Sequence, residues 1–203
     1  MYTNVGSNGR VNDSGVWNNS SLLQSIQDGS LKLPKDDKLP VSGVTLPYVF
    51  VGDDAFALKQ FMMKPYPQQN LIVDKRNYNY RHSRARRISE NLFGILSKRW
   101  RIFFTIINLE PKYVENIVFS MLALHNMLIK NPAYRSGNLA DSTLENGDVR
   151  EGEWHDDVAT DTFHPLQIPR SGHNASVTAK VVIDKFKDYF MNGGAVEWQW
   201  KFC

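Results

Sequence analysis

From Ser83 to Arg101 apolar residues recur at Ile88, Leu92, Ile95, Leu96 and Trp100, a three- and four-residue spacing that a helix gathers into one face. Such a stripe is stable only against another packed element, so the pattern demands a partner surface. The chain offers one of a different kind. Leu46-Pro47-Tyr48-Val49-Phe50-Val51-Gly52 is compact, apolar and rich in β-branched and aromatic residues, and it stops at Asp53-Asp54. It reads as a buried strand that delivers carboxylates at its C-terminal end.

Around these two landmarks the other elements are weaker. Tyr2 to Val11 alternates and ends in a Gly/Asn turn, as a strand entered part-way would. A small helix through Leu22, Leu23 and Ile26 is expected, with Asp13 or Ser14 as its N-cap and Asp28-Gly29 at its end. Ser30 to Thr45 reads as surface loop, and Ala55 to Met63 as a short helix stopped by Lys64-Pro65-Tyr66-Pro67. Tyr113 to Lys130 is a second helix, apolar almost all round and therefore expected inside the fold. Residues 1–134 then form the folded domain, 135–175 an acidic, flexible linker, and 176–203 a C-terminal helix and tail, with Val177, Val181, Phe186 and Phe190 on related helix faces.

A chain of 203 residues with 42% hydrophobic and 12% aromatic content is long and apolar enough for one core. Its only cysteine is Cys203, which excludes an intramolecular disulfide and fits a reducing compartment. Met1 to Arg10 has no apolar signal region, and the greasiest stretch, Ile117 to Ile129, is short and broken by Ser120, His125 and Asn126. Neither a secretion signal nor a membrane span is expected.

A net charge of +3 is too small to identify a partner, but its distribution is uneven. Lys75, Arg76, Arg81, Arg84, Arg86, Arg87, Lys98, Arg99 and Arg101 enclose one acid, Glu90, and are interleaved with Tyr78, Tyr80 and Trp100. Phosphate contacts with aromatic stacking suit such a stretch; a solvated helix face, or a nuclear import signal around Arg84 to Arg87, suits it equally. Glu90 falls opposite the apolar stripe, beside Arg86, Arg87 and Gly94, where Gly94 would be a bare spot open to a DNA backbone. Asp53 and Glu90 have the oxygen chemistry that Mg²⁺ or Mn²⁺ requires, yet by type alone an acid ending a strand is more often a turn former and a helix-face Glu more often solvated. His125 fits a hydrogen-bonded structural histidine, while His155, His164 and His173 lack metal-site spacing.

The segments Asn4-Val5-Gly6-Ser7-Asn8-Gly9-Arg10-Val11, Val51-Gly52-Asp53-Asp54-Ala55-Phe56, Lys64-Pro65-Tyr66-Pro67, Asn79-Tyr80-Arg81-His82-Ser83-Arg84-Ala85-Arg86-Arg87 and Glu90-Asn91-Leu92-Phe93-Gly94 together resemble the DDE superfamily endonucleases of the PIF/Harbinger transposase type. That family includes the Harbinger-derived nucleases and ALP1-like proteins. The resemblance implies an α/β, RNase H-like mixed sheet flanked by helices, with a partly disordered C-terminal extension. It further implies a divalent metal held by a strand-borne Asp and a helix-borne Glu, which Asp53 and Glu90 match, and DNA bound by Arg81, Arg84, Arg86, Arg87, Lys98 and Arg99. A nuclear location and a Myb-like protein partner are implied with it. The family's first catalytic Asp would lie before Met1, so this chain is expected to carry two of the three carboxylates and to have impaired catalysis. A domesticated, non-catalytic DNA- or protein-binding protein is the competing expectation.

Overall fold

The computed structural model describes residues 2–7, 11–135, 138–157 and 175–202. In chain order its helices are α1 (Asp13–Asn18), α2 (Ser21–Gln27), α3 (Val73–Arg99), α4 (Pro111–Leu128), α5 (Pro132–Arg135) and α6 (Val177–Met191). Its strands are β1 (Asp37–Lys38), β2 (Thr45–Leu46), β3 (Phe50–Val51), β4 (Met62–Met63), β5 (Ser142–Thr143) and β6 (Val149–Arg150). The chain divides into two compact units, one of Val11–Arg86 with Gln167–Cys203 and the other of Met1–Arg10 with Arg87–Leu166.

In the unit that holds Asp53, the one small helix expected near the start is two. Asn12, not Asp13 or Ser14, caps α1 by accepting from the Gly15 N–H at 2.7 Å. Ser20 caps α2 at 3.1 Å while its own hydroxyl donates to the Trp17 carbonyl, so a single serine ends one helix and starts the next. The expected strand Leu46–Gly52 is also divided. Pro47 has no N–H to give to a ladder, and the run splits into β2, antiparallel to β1, and β3, parallel to β4. Ala55 to Met63 is not a helix: after Asp53 the chain turns and returns as β4.

Helix α3 begins at Val73 rather than Ser83. Its first turns bury Asn77, Tyr78 and His82, residues that no apolar count registers. Leu46, Met63 and Tyr78 form a core cluster with Val182 and Ile183 of α6, flanked by Leu39, Val49, Leu58, Tyr66, Phe186 and Phe190. Ser176 caps α6 as its sequence position allows, at 3.2 Å to the Ala179 N–H. The buried face of α6 is Ala179, Val182 and Ile183, whereas Val177 and Val181 are exposed, because the core lies about one residue further round the helix than the sequence stripe.

The other unit carries the rest of α3, α4, α5 and a hairpin. Of the expected α3 stripe, Leu96 is buried but Ile88 and Leu92 are exposed. α4 is not an interior helix among the described residues: Tyr113, Phe119, Leu124 and Met127 are exposed and His125 is its one buried residue. The stretch read as linker contains the antiparallel pair β5 and β6 and a 3₁₀ turn at Glu153–Asp157; residues 158–174 lie outside the described residues. The described part of Tyr2 to Val11 holds no strand. Helices and small sheets of both senses give a mixed α/β content, and among the described residues each sheet has two strands.

Candidate functional site

Asp53 stands directly after β3 in a turn fixed from several sides. The Gly52 N–H donates to the Met63 carbonyl at 2.9 Å, which ties the turn to β4. A Cβ on Gly52 would come within 2.9 Å of the Phe56 ring, so that the ring would have to shift, and would sit tightly at 3.1 Å from the Met62 sulfur; glycine spares the turn both contacts. One carboxylate oxygen of Asp53 accepts from the Ala55 N–H at 2.9 Å, an Asx turn. Lys64 reaches back to donate to the carbonyls of Asp54 at 2.7 Å and Phe56 at 2.9 Å. Behind the turn, Trp17 packs on Phe50 and Phe56 with ring centroids 5.5 and 6.4 Å apart.

His82 is buried nearby, with Nε2 donating to the Met63 carbonyl at 3.3 Å. Burial pushes its pKa below the ordinary histidine value, and Arg86 adds to that; the Met63 carbonyl and the Asp53 charge act the other way.

Glu90 is exposed on α3 and belongs to the other unit from Asp53. Gly94, one turn further on, is not a bare spot: a Cβ there would run into the indole of Trp154. The glycine exists to seat that ring. Around it, the Asn91 amide accepts from the Trp154 indole N–H and from the Asp141 backbone N–H, both at 2.9 Å, and donates to the Asp141 carbonyl at 3.3 Å. The Asp141 carboxylate, nearly buried, takes the Gly152 N–H at 2.8 Å and His155 Nε2 at 2.9 Å, while the His155 ring stacks on Trp154 at 3.6 Å. Trp154 is the residue sequence reasoning missed; its one signal was a tryptophan alone in a polar stretch.

Several of the basic residues have contacts of their own. Arg81 donates to the Gly194 carbonyl and the Gln199 side chain, each at 3.2 Å, and lies over Phe190 at 4.8 Å. Arg84 lies over Trp198 at 4.1 Å and donates to the Tyr80 hydroxyl at 2.9 Å. Lys98 meets the Glu153 carbonyl and stands 4.0 Å from the Asp156 carboxylate. Arg99 donates to the Tyr134 carbonyl at 2.7 Å. Arg86 and Arg87 are half-buried. His125 is buried as a structural histidine would be, but its Nδ1 meets no partner among the described residues.

Among the described residues no group of three or more His, Cys, Asp or Glu side chains is placed to hold a metal ion. Asp13 is an exposed first-turn residue of α1, and His164, His173 and Cys203 lie outside the described residues. Among the described residues no helix is long and apolar enough to cross a membrane.

No solved structure matches the chain. A protein described as "Protein ALP1-like" from Arabidopsis thaliana is 30% identical over 123 residues, which are 60% of this chain and 30% of that relative. The chain therefore spans well under half the length of the curated relative it matches. The family described as "DDE superfamily endonuclease" matches residues 1–126, a stretch that includes the Asp53 turn, Glu90 and the Gly94 seat. The chain belongs to the DDE superfamily endonucleases, and its likeness to the ALP1-like protein agrees with the Harbinger-derived type.

Proposed function

We propose that the chain is a nuclease-type domain of transposase descent that acts on DNA, with an RNase H-like fold in residues 1–134, a linker over 135–175 and a C-terminal helix and tail over 176–203. Asp53 and Glu90 are its retained catalytic carboxylates. The observation that carries this reading is the Asp53 turn: an aspartate at a strand end, held by Gly52, Lys64 and its own Asx turn, inside the stretch that matches the endonuclease family. A site that must place a carboxylate needs this kind of support. The superfamily's cofactor is a divalent cation, Mg²⁺ or Mn²⁺, for which the described residues do not themselves assemble a full ligand set. DNA phosphates are met by the basic stretch containing Arg81, Arg84, Arg86, Arg87, Lys98 and Arg99, and the protein works in the nucleus, where a Myb-like protein is the expected partner.

A second reading is a domesticated, non-catalytic DNA- or protein-binding nuclear protein. Asp53 and Glu90 belong to different compact units, and binding to DNA or protein does not require the two carboxylates to meet. Cleavage of duplex DNA in Mg²⁺ or Mn²⁺, with Asp53→Ala and Glu90→Ala as controls, separates the two. Metal-dependent cleavage lost in both variants supports the nuclease; cleavage no greater than in the variants leaves DNA binding, measured on the same proteins, as the function.

A further inference from the structure

Arg87, Glu90, Asn91, Gly94 and Lys98 of α3 fall within about 100° of one another, because residues three, four and seven apart share a helix face. Within the same compact unit the segment 138–157 lies on that face. Trp154 fills the Gly94 seat, and its indole N–H is bonded to Asn91 at 2.9 Å. Asn91 also holds both backbone groups of Asp141. One turn on, Lys98 donates to the Glu153 carbonyl and stands 4.0 Å from the Asp156 carboxylate.

The composition of the segment is opposite to that of the helix beneath it. Residues 138–157 include seven acids, Asp141, Glu145, Asp148, Glu151, Glu153, Asp156 and Asp157, against one base, Arg150. The segment is also lightly held. No apolar side chain in it is buried, its β5–β6 ladder has two residues per strand, and the Asp156 side chain keeps 75% of its surface in solvent, where an ion pair contributes little. Trp154 is thus its main anchor, and a segment built this way opens at a free energy well below that of the whole fold.

We propose that residues 138–157 form an acidic strap that occupies this face of α3 in place of a nucleic-acid backbone, so that DNA reaches the Gly94 turn beside Glu90 only when Trp154 leaves it. The inference rests on the DNA reading above and adds its regulation. Strap and DNA would use the same groups. A phosphate offers Lys98 the negative oxygen that Glu153 and Asp156 offer it now, and the bare Gly94 backbone admits either the indole or a sugar-phosphate chain, not both. Binding of DNA therefore has to lift the strap, and its measured affinity is lowered by the fraction of molecules in which the strap is seated.

The test is fluorescence anisotropy of the full chain with a fluorescein-labelled DNA duplex, comparing wild type, Trp154→Ala and Asp156→Asn, with amide exchange over residues 138–157 followed in parallel. Trp154→Ala should bind the duplex about tenfold more tightly than wild type, and Asp156→Asn about twofold more tightly. In wild type, saturation with duplex should speed exchange of the Gly152 and Glu153 amides, now bonded to the Asp141 carboxylate and the Asn138 carbonyl, about tenfold. That second measurement carries the test if circular dichroism shows Trp154→Ala to be unfolded. A folded Trp154→Ala whose strap amides exchange faster but whose affinity is no higher than wild type overturns the strap and leaves the DNA reading standing. Duplex bound with those amides equally or better protected does the same, while no binding by any of the proteins overturns both.

Discussion

Replacing Gly94 by alanine is a perturbation whose sign the structure decides. In an exposed helix interior the change would stabilise by about 0.5–1 kcal/mol, because alanine loses less backbone entropy than glycine. Here the new methyl would enter the Trp154 ring. The ring has little room to yield, since its N–H is bonded to Asn91 at 2.9 Å and its face to His155 at 3.6 Å. Overpacking of this kind costs about 1–3 kcal/mol, and a lost indole hydrogen bond about 1 more. After the helix gain is subtracted, Gly94→Ala should destabilise by roughly 1–3 kcal/mol. Urea unfolding, with amide exchange followed over residues 138–157, reads the change in wild type and in a Trp154→Ala background. Without the indole, the same substitution should stabilise by about 1 kcal/mol, a coupling of about 2–4 kcal/mol in the double-mutant cycle. Equal stabilisation in both backgrounds would mean that Trp154 does not occupy the glycine seat, and the reasoning would fall.

Three further outcomes are expected. Lys64→Met removes two charge-assisted hydrogen bonds from the Asp53 turn, so the Ala55 amide should exchange about tenfold faster; an unchanged rate would show that Lys64 does not hold the turn. Arg81→Lys cannot serve the Gly194 carbonyl and the Gln199 oxygen as one fork does and should lower unfolding stability by about 1–2 kcal/mol, with a loss below about 0.3 kcal/mol counting against that clamp. His82, whose folded pKa is depressed by burial, contributes stability fully above the unfolded value of about 6.5 and loses it as pH falls through the folded one. Thermal melts between about pH 7.5 and pH 5 should therefore slope less steeply in His82→Gln than in wild type, and parallel slopes would refute the assignment.

How much of this could be read beforehand depended on which atoms the core uses. The presence of α6 and an aspartate closing a strand were legible because each is local: apolar residues at helical spacing, a β-branched run before a carboxylate. The start of α3 was not, because the face it buries is Asn77, Tyr78 and His82, which a periodicity of apolar side chains passes over. The parallel pairing of Phe50–Val51 with Met62–Met63 is a tertiary choice made by the turn at Asp53, and the helix expected over Ala55 to Met63 lost to it. Gly94 was noticed, but its occupant is distant in sequence, and distance is what a local pattern cannot carry. The same holds for Arg81, read as a surface cation and found half-buried against the C-terminal tail.

The buried amides of Asn77 and Gln199 converge on a single acceptor, the Phe190 carbonyl, at 3.1 and 2.9 Å. These groups gain little over their hydration in the unfolded chain, but any other seating of α6 would leave both of them dry and unmatched. Their effect is thus felt mainly by the wrong structures. Rotating the helix by one residue would still bury an apolar pair, since Val181 and Val182 would take the places of Val182 and Ile183. What such an arrangement could not do is present a carbonyl where two amides point. The α6 interface is in this sense keyed as well as greased: apolar contact holds the helix, and a shared oxygen determines which of its faces is held.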